Sequence, residues 1–198
     1  MDESAANERT AQRRFGWSPR GFPCRVKRSA RRSKRWSILP AITLDGYLAW
    51  EIYQDSFTAE RFNAFIEIHV LPLMRPYSED ASCCVLVMDN CSIHYSEELI
   101  EMCQRKGIHL VYLPAYSPDF NPIEQSFAQL KAWMRRNQRL ADLFGYNFEG
   151  FIQLAMRSVF QGKDARGHYR ACGYGVGESF ECSDSESESE NDSDSDSD

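Results

Sequence analysis

The chain has 198 residues, a formal net charge of −6, 42% hydrophobic residues and 13% aromatic ones. That length fits one domain with tails, and that composition builds a core and excludes a chain disordered throughout. No apolar run reaches the roughly 18–20 residues needed to span a bilayer, no secretory signal opens the chain, and seven cysteines without framework spacing point to a reduced, intracellular protein.

Charge divides the chain into three parts: a basic arm over 1–35, a body over 36–175 and a tail over 176–198. Arg9 to Arg35 holds eleven basic residues and no acid, densest at Arg25, Lys27, Arg28, Arg31, Arg32, Lys34 and Arg35. Ser183 to Asp198 holds eight acids and no base, and without it the formal charge is +2. A basic arm of this kind suits a polyanion, serves as a nuclear-import signal, or does both. The acidic Ser/Asp/Glu tail is too polar to build a core and is expected to be disordered.

In the body, Trp36–Thr43 and Tyr47–Tyr53 predict two strands joined by a tight turn at Asp45-Gly46. A helix follows from about Thr58, with Phe62, Phe65, Ile66, His69, Val70 and Leu73 on one apolar face. Cys84–Met88 predicts a short buried parallel strand ending at Asp89. Ser96 caps the next helix, with Glu97 and Glu98 in its first turn and Gly107 past its end. Ile108–Leu113 predicts a second buried strand. After a turn-rich loop over 114–120, Asn121-Pro122 opens a long helix with Ile123, Phe127, Leu130 and Met134 on one face. Two shorter helices follow, about 148–160 and 164–172. This order predicts an α/β fold whose parallel portion joins an antiparallel hairpin.

Open α/β sheets build sites at the carboxyl ends of parallel strands. Asp89 ends one such strand, and Glu124 follows the next by one loop. With a third acid from another strand they make an all-oxygen site suited to Mg²⁺ or Mn²⁺, and two such ions serve phosphodiester displacement. Blander roles stay open. Asp89-Asn90 also reads as a plain turn, and Asn121-Pro122-Ile123-Glu124 as a capping box. His94 reads as a brace for the turn after Asp89, and Cys83, Cys84, Cys91 and Cys103 as core residues without zinc spacing.

Two strings, Val85-Leu-Val-Met-Asp-Asn-Cys-Ser-Ile-His94 and Leu113-Pro-Ala-Tyr-Ser-Pro-Asp-Phe-Asn-Pro-Ile-Glu124, resemble the DDE endonuclease domain of mariner-like (Tc/mariner) transposases. Asp89 and Glu124 are separated by 34 residues, as in one large branch of that superfamily. Asp2-Glu3-Ser4 resembles the first-acid motif, and Gly16-Trp-Ser-Pro-Arg-Gly21 the segment after it. The resemblance covers about residues 2 to 175. It implies a ribonuclease-H-like mixed sheet flanked by helices, a DNA substrate, Mg²⁺ or Mn²⁺, and Asp2, Asp89 and Glu124 as the catalytic and metal-binding triad. The family places an apolar strand before the first acid and a helix-turn-helix further upstream. Only Met1 precedes Asp2, so the first strand is expected to be largely missing and activity weak or lost. The leading expectation is a transposase-derived endonuclease domain that binds DNA in the nucleus, with no membrane or organic cofactor and with a homodimer as one state open to it. The alternatives are a non-catalytic nucleic-acid-binding protein and a stand-alone two-metal nuclease.

Overall fold

A computed structural model describes residues 1–12, 16–25, 34–78, 82–159 and 162–176. Lys27, Arg28, Arg31, Arg32 and the acidic tail lie outside the described residues.

Trp36–Thr43 (β2) and Gly46–Gln54 (β3) form an antiparallel hairpin around the turn at Leu44-Asp45, where Gly46 takes φ 122°. Only glycine adopts that conformation without strain. Ala41 pairs with Ala49 and Ile42 with Tyr47, so Leu48 is the extra residue of a bulge. The bulge turns both Leu48 and Ala49 toward one core, while Tyr47, Trp50 and Ile52 pack into the other. A short strand, Ser4–Ala6 (β1), pairs antiparallel with β2, Ser4 opposite Ile38. The first strand is therefore three residues long and begins after Asp2. Val85–Met88 (β4) and His109–Tyr112 (β5) form a parallel pair, Met88 opposite Tyr112. The sheets are linked where the Met1 ammonium donates to the Val87 carbonyl at 2.8 Å.

Helices cover both sides. On one, Ala59–Phe65 (α1) and Glu97–Lys106 (α2) bury Phe62, Phe65, Leu99 and Met102 against Leu39, Ala41, Leu86 and Met88. On the other, Pro122–Arg136 (α3) and Phe148–Val159 (α5) bury Leu130, Met134, Phe151 and Ile152 against Ile38. Each such side chain stabilises the fold by about 1.5–3 kcal/mol. Gln138–Phe144 (α4) and Gly162–Ala171 (α6) complete the helices described.

Several expectations need correction. The helix from Thr58 does not run straight to Leu73: Ile66–Val70 is a π turn, with the Leu71 amide donating to Ile66 O, and Leu71–Leu73 is 3₁₀. The wider turn rotates His69 and Leu73 into solvent and brings Leu71 and Met74 into the core. The two parallel strands are less buried than their apolar sequences predict: Val85 is exposed, and no β5 residue is fully buried. Helix α4 has no clear periodic signal, and no side chain of it is fully buried. Cys84 and Cys103 are core residues, whereas Cys83 is exposed. Among the described residues no helix is long and apolar enough to cross a membrane.

Candidate active site

Strands β4 and β5 end together, and the Leu113 amide donates to Met88 O at 2.8 Å. Asp89 follows β4 at that edge. The Met1–Val87 bond draws the start of the chain alongside, so Asp2 comes within the field of the Asp89 charge. One Asp2 oxygen accepts from the Glu3 amide at 2.7 Å, and the other lies 3.5 Å from the Asn121 side-chain amide.

Burial, and then the charge of Asp89, raises the Asp2 carboxyl to about pKa 6. Burial also lowers the Met1 ammonium to about 6, against the pull of Asp2, Asp89 and Glu3. Two acids crowded at one edge repel each other. They present hard oxygen donors, the set that Mg²⁺ or Mn²⁺ prefers, and a cation between them would relieve the repulsion.

His94 sits under this edge with none of its side chain exposed. Its Nδ1 faces Asp89 Oδ1 at 2.5 Å and its Nε2 faces Glu3 Oε1 at 3.1 Å. The Nδ1 hydrogen bond goes to the Asp89 main-chain carbonyl at 3.4 Å, and Oδ1 of Asp89 is buried without a hydrogen bond among the described residues, although 40% of the side chain is exposed. The imidazole stacks on Phe62 at 4.2 Å, and Tyr112 Oη donates to its main-chain carbonyl at 2.9 Å. Burial works against a charged ring, but the hydrogen bond to Glu3 and the charges of Glu3 and Asp89 outweigh it and raise its pKa.

Glu124 is exposed in the first turn of α3. Asn121 caps the helix by accepting from the Ile123 amide at 3.3 Å, as the sequence predicts. The reciprocal half of the capping box is not made, because the Asn121 amide donates to Pro118 O at 2.9 Å. The Glu124 carboxylate is thus left available. Among the described residues no three His, Cys, Asp or Glu side chains are gathered to hold an ion directly. A cavity lined by Met1, Ala41, Leu48, Val85, Val87 and Pro122 lies nearby, and no acid or histidine lines it.

Of the basic residues, Arg25, Lys34 and Arg35 are exposed, Lys34 reaching Gln54 Oε1 at 3.3 Å. Trp17 is fully exposed, whereas Trp36 packs against the α3–α5 core. Glu3 and Asn121 are the supporting residues that sequence reasoning left unassigned at this site. A signal for Glu3 was its place beside the first acid; the Asn121–Asp2 contact has none, since it crosses 119 positions.

A family model for the DDE superfamily endonuclease matches residues 1–144. The chain belongs to the DDE superfamily endonucleases. No curated protein matches it. Among solved structures, this DDE domain is similar to the Mos1 strand transfer complex, with a TM-score of 0.54 and 15% identity over 88% of this chain and 54% of that one. It is similar also to the Mos1 mariner paired end complex with Mn, with a TM-score of 0.55 and 16% identity over 87% and 54%. The Mos1 paired-end complex with the left transposon end gives 0.53 and 15% over 87% and 55%. These likenesses establish the ribonuclease-H-like fold. The DDE chain spans about half the length of the chains it matches.

Proposed function

We propose that this DDE domain binds DNA and carries a site for metal-dependent phosphodiester cleavage, with Asp2, Asp89 and Glu124 as its acids. The observation that supports the reading is the Met1–Val87 hydrogen bond, which brings Asp2 to the strand pair that Asp89 follows, near enough for the Asp89 charge to raise the Asp2 carboxyl. Asp2 and Asp89 would hold Mg²⁺ or Mn²⁺, with Glu124 completing the set from α3. When bound, such a cation supplies Lewis acidity to a phosphodiester. The chain's own residues do the rest. Asn121 and the Glu3 amide orient Asp2, and His94 orients Asp89. Arg25, Lys34 and Arg35, together with Lys27, Arg28, Arg31 and Arg32, would neutralise backbone phosphates. Nuclear residence follows the basic arm.

The test is nicking of supercoiled plasmid with Mn²⁺ by the 198-residue chain and by Asp89→Ala. Nicking by the first and none by the second supports the reading. Equal nicking by both, or none by either at any metal concentration, overturns it. A second reading, DNA binding without catalysis, is favoured because, among the described residues, no three His, Cys, Asp or Glu side chains are gathered to hold an ion. Salt-sensitive DNA binding without nicking would select it.

A further inference from the structure

We propose that His94 and Glu3 form a buried clamp that fixes the spacing of Asp2 and Asp89, with His94 as a positioning residue. The proposal rests on the reading of Asp2 and Asp89 as cation ligands.

The argument starts from a cost. An imidazole with no exposure is expensive to bury unless both ring nitrogens find partners. Here both do: Nε2 meets Glu3 Oε1 at 3.1 Å, and Nδ1 meets the Asp89 main-chain carbonyl at 3.4 Å with Asp89 Oδ1 in ion-pair contact at 2.5 Å. A carbonyl and an ionised carboxylate only accept, so the ring donates to both. The ring itself has few ways to move. Phe62 stacks on it at 4.2 Å, its own amide donates to Cys91 O at 3.0 Å, and Tyr112 holds its carbonyl at 2.9 Å.

Two consequences follow for the acids. The charge contact at Nδ1 draws Asp89 Oδ1 inward, the hydrogen bond to the Asp89 carbonyl holds its backbone, and the rest of the carboxylate is left toward solvent. The bond at Nε2 ties down Glu3, whose amide in turn binds Asp2 Oδ1 at 2.7 Å. One rigid ring therefore connects the end of β4 to the residue beside Asp2, across 91 positions of chain. Asp2 and Asp89 repel each other, so without a cation something else must keep them at one edge. His94 does this without presenting either nitrogen to solvent. A brace for the turn after Asp89 would need the Nδ1 contact alone; the Glu3 contact is what such a brace leaves unexplained.

The test uses the full chain and three variants. His94→Phe keeps the ring and its stacking and removes both donors. His94→Asn retains a donor that can face Asp89. Glu3→Gln retains an acceptor for Nε2. Mn²⁺ affinity is read by calorimetry, and amide exchange is read over residues 2–6. Asp89→Asn serves as the control for the metal site. The expected result is that His94→Phe loses about tenfold or more in Mn²⁺ affinity and speeds exchange over residues 2–6. Glu3→Gln should keep most of the affinity, whereas His94→Asn, which faces Asp89 without reaching Glu3, should speed exchange over residues 2–6 as His94→Phe does. Unchanged exchange over 2–6 in His94→Phe overturns the clamp, whether or not Mn²⁺ binds. Parent-like exchange over 2–6 in His94→Asn also overturns it, since the contact with Asp89 alone, a brace of the turn, would then suffice. Failure of the metal-site reading looks different: Asp89→Asn then binds Mn²⁺ as the parent does, while exchange over 2–6 still decides the clamp.

Discussion

The Asn121 side-chain amide lies 3.5 Å from the Asp2 carboxylate, so the residue that starts helix α3 also touches the first acid. The same side chain caps the helix through the Ile123 amide. These two jobs can be separated. Asn121→Ala loses both and should cost about 1 kcal/mol of stability along with Mn²⁺ affinity. Asn121→Ser keeps a capping oxygen but is too short for Asp2. It should melt near the parent temperature and still bind Mn²⁺ more weakly. Thermal melts paired with calorimetric titration check this; parent-like affinity in Asn121→Ser would show that the Asp2 contact has no bearing on the site.

Most of the scaffold was legible because its signals are local. The β2–β3 hairpin follows from strand patterning around Asp45-Gly46, and α2 from Ser96 and Gly107. Ser96 Oγ accepts from the Leu99 amide at 3.2 Å, and Gly107 takes φ 72° in the left-handed region. The π turn at Ile66–Val70 was not legible, because periodicity describes an ideal helix and the shift comes from packing of Val70 and Leu71 against the sheet. At the site, Asp89 was marked by its place at a strand end. The clamp was not, because Glu3, His94 and Asn121 meet Asp2 and Asp89 only after folding, and no spacing records that meeting. Glu124 was marked by motif and helix position, and α3 carries it on an exposed first turn.

The joint between α1 and α2 gives a second prediction. Asn63 is buried, and its amide donates to Glu98 Oε2 at 2.7 Å and to Ser96 Oγ at 3.1 Å. It thus serves the cap and first turn of α2 from a neighbouring helix. Asn63→Leu keeps a similar volume but removes these bonds. Ser96 and Glu98 retain access to water, so the cost should be about 1–3 kcal/mol. Urea unfolding measures it, and a loss well under 1 kcal/mol would mean that Asn63 is not needed to hold the cap.

Alkaline stability gives a third. Tyr169 Oη donates to Ile42 O at 3.2 Å, and burial, the first of several causes, raises the hydroxyl to about pKa 12 from 10.0. The folded state therefore holds this proton more tightly than the unfolded state. Its contribution is fully present below pH 10 and is lost as pH rises from 10 through 12. The size is at most ~2–3 kcal/mol for a shift of about two units. Tyr169→Phe should be less stable than the parent at pH 8 and should show a shallower fall above pH 10. The residual fall is assigned to Tyr47, which burial also raises to about 12. Denaturant midpoints between pH 8 and 11.5 test this; identical slopes in parent and variant would remove Tyr169 from the account.

Charge segregation gives the last prediction. Arg9 to Arg35 carries eleven basic residues, and Ser183 to Asp198 carries eight acids. Each phosphate that the arm neutralises releases counterions, so affinity for duplex DNA should fall with a log–log salt slope of about −0.9 per contact. The tail is covalently tethered to the same chain, so its acids compete with DNA at high effective concentration. Phosphorylation of its interleaved serines would strengthen the competition, each adding a charge of about −1.5 to −2. Deleting residues 183–198 should therefore tighten DNA binding most at low salt, with the gain shrinking as salt screens the tail from the arm. Fluorescence anisotropy across a salt series reads both effects. Coincident curves for the full chain and the deletion would reduce the tail to a solubilising segment and leave the basic arm as the sole electrostatic determinant of binding.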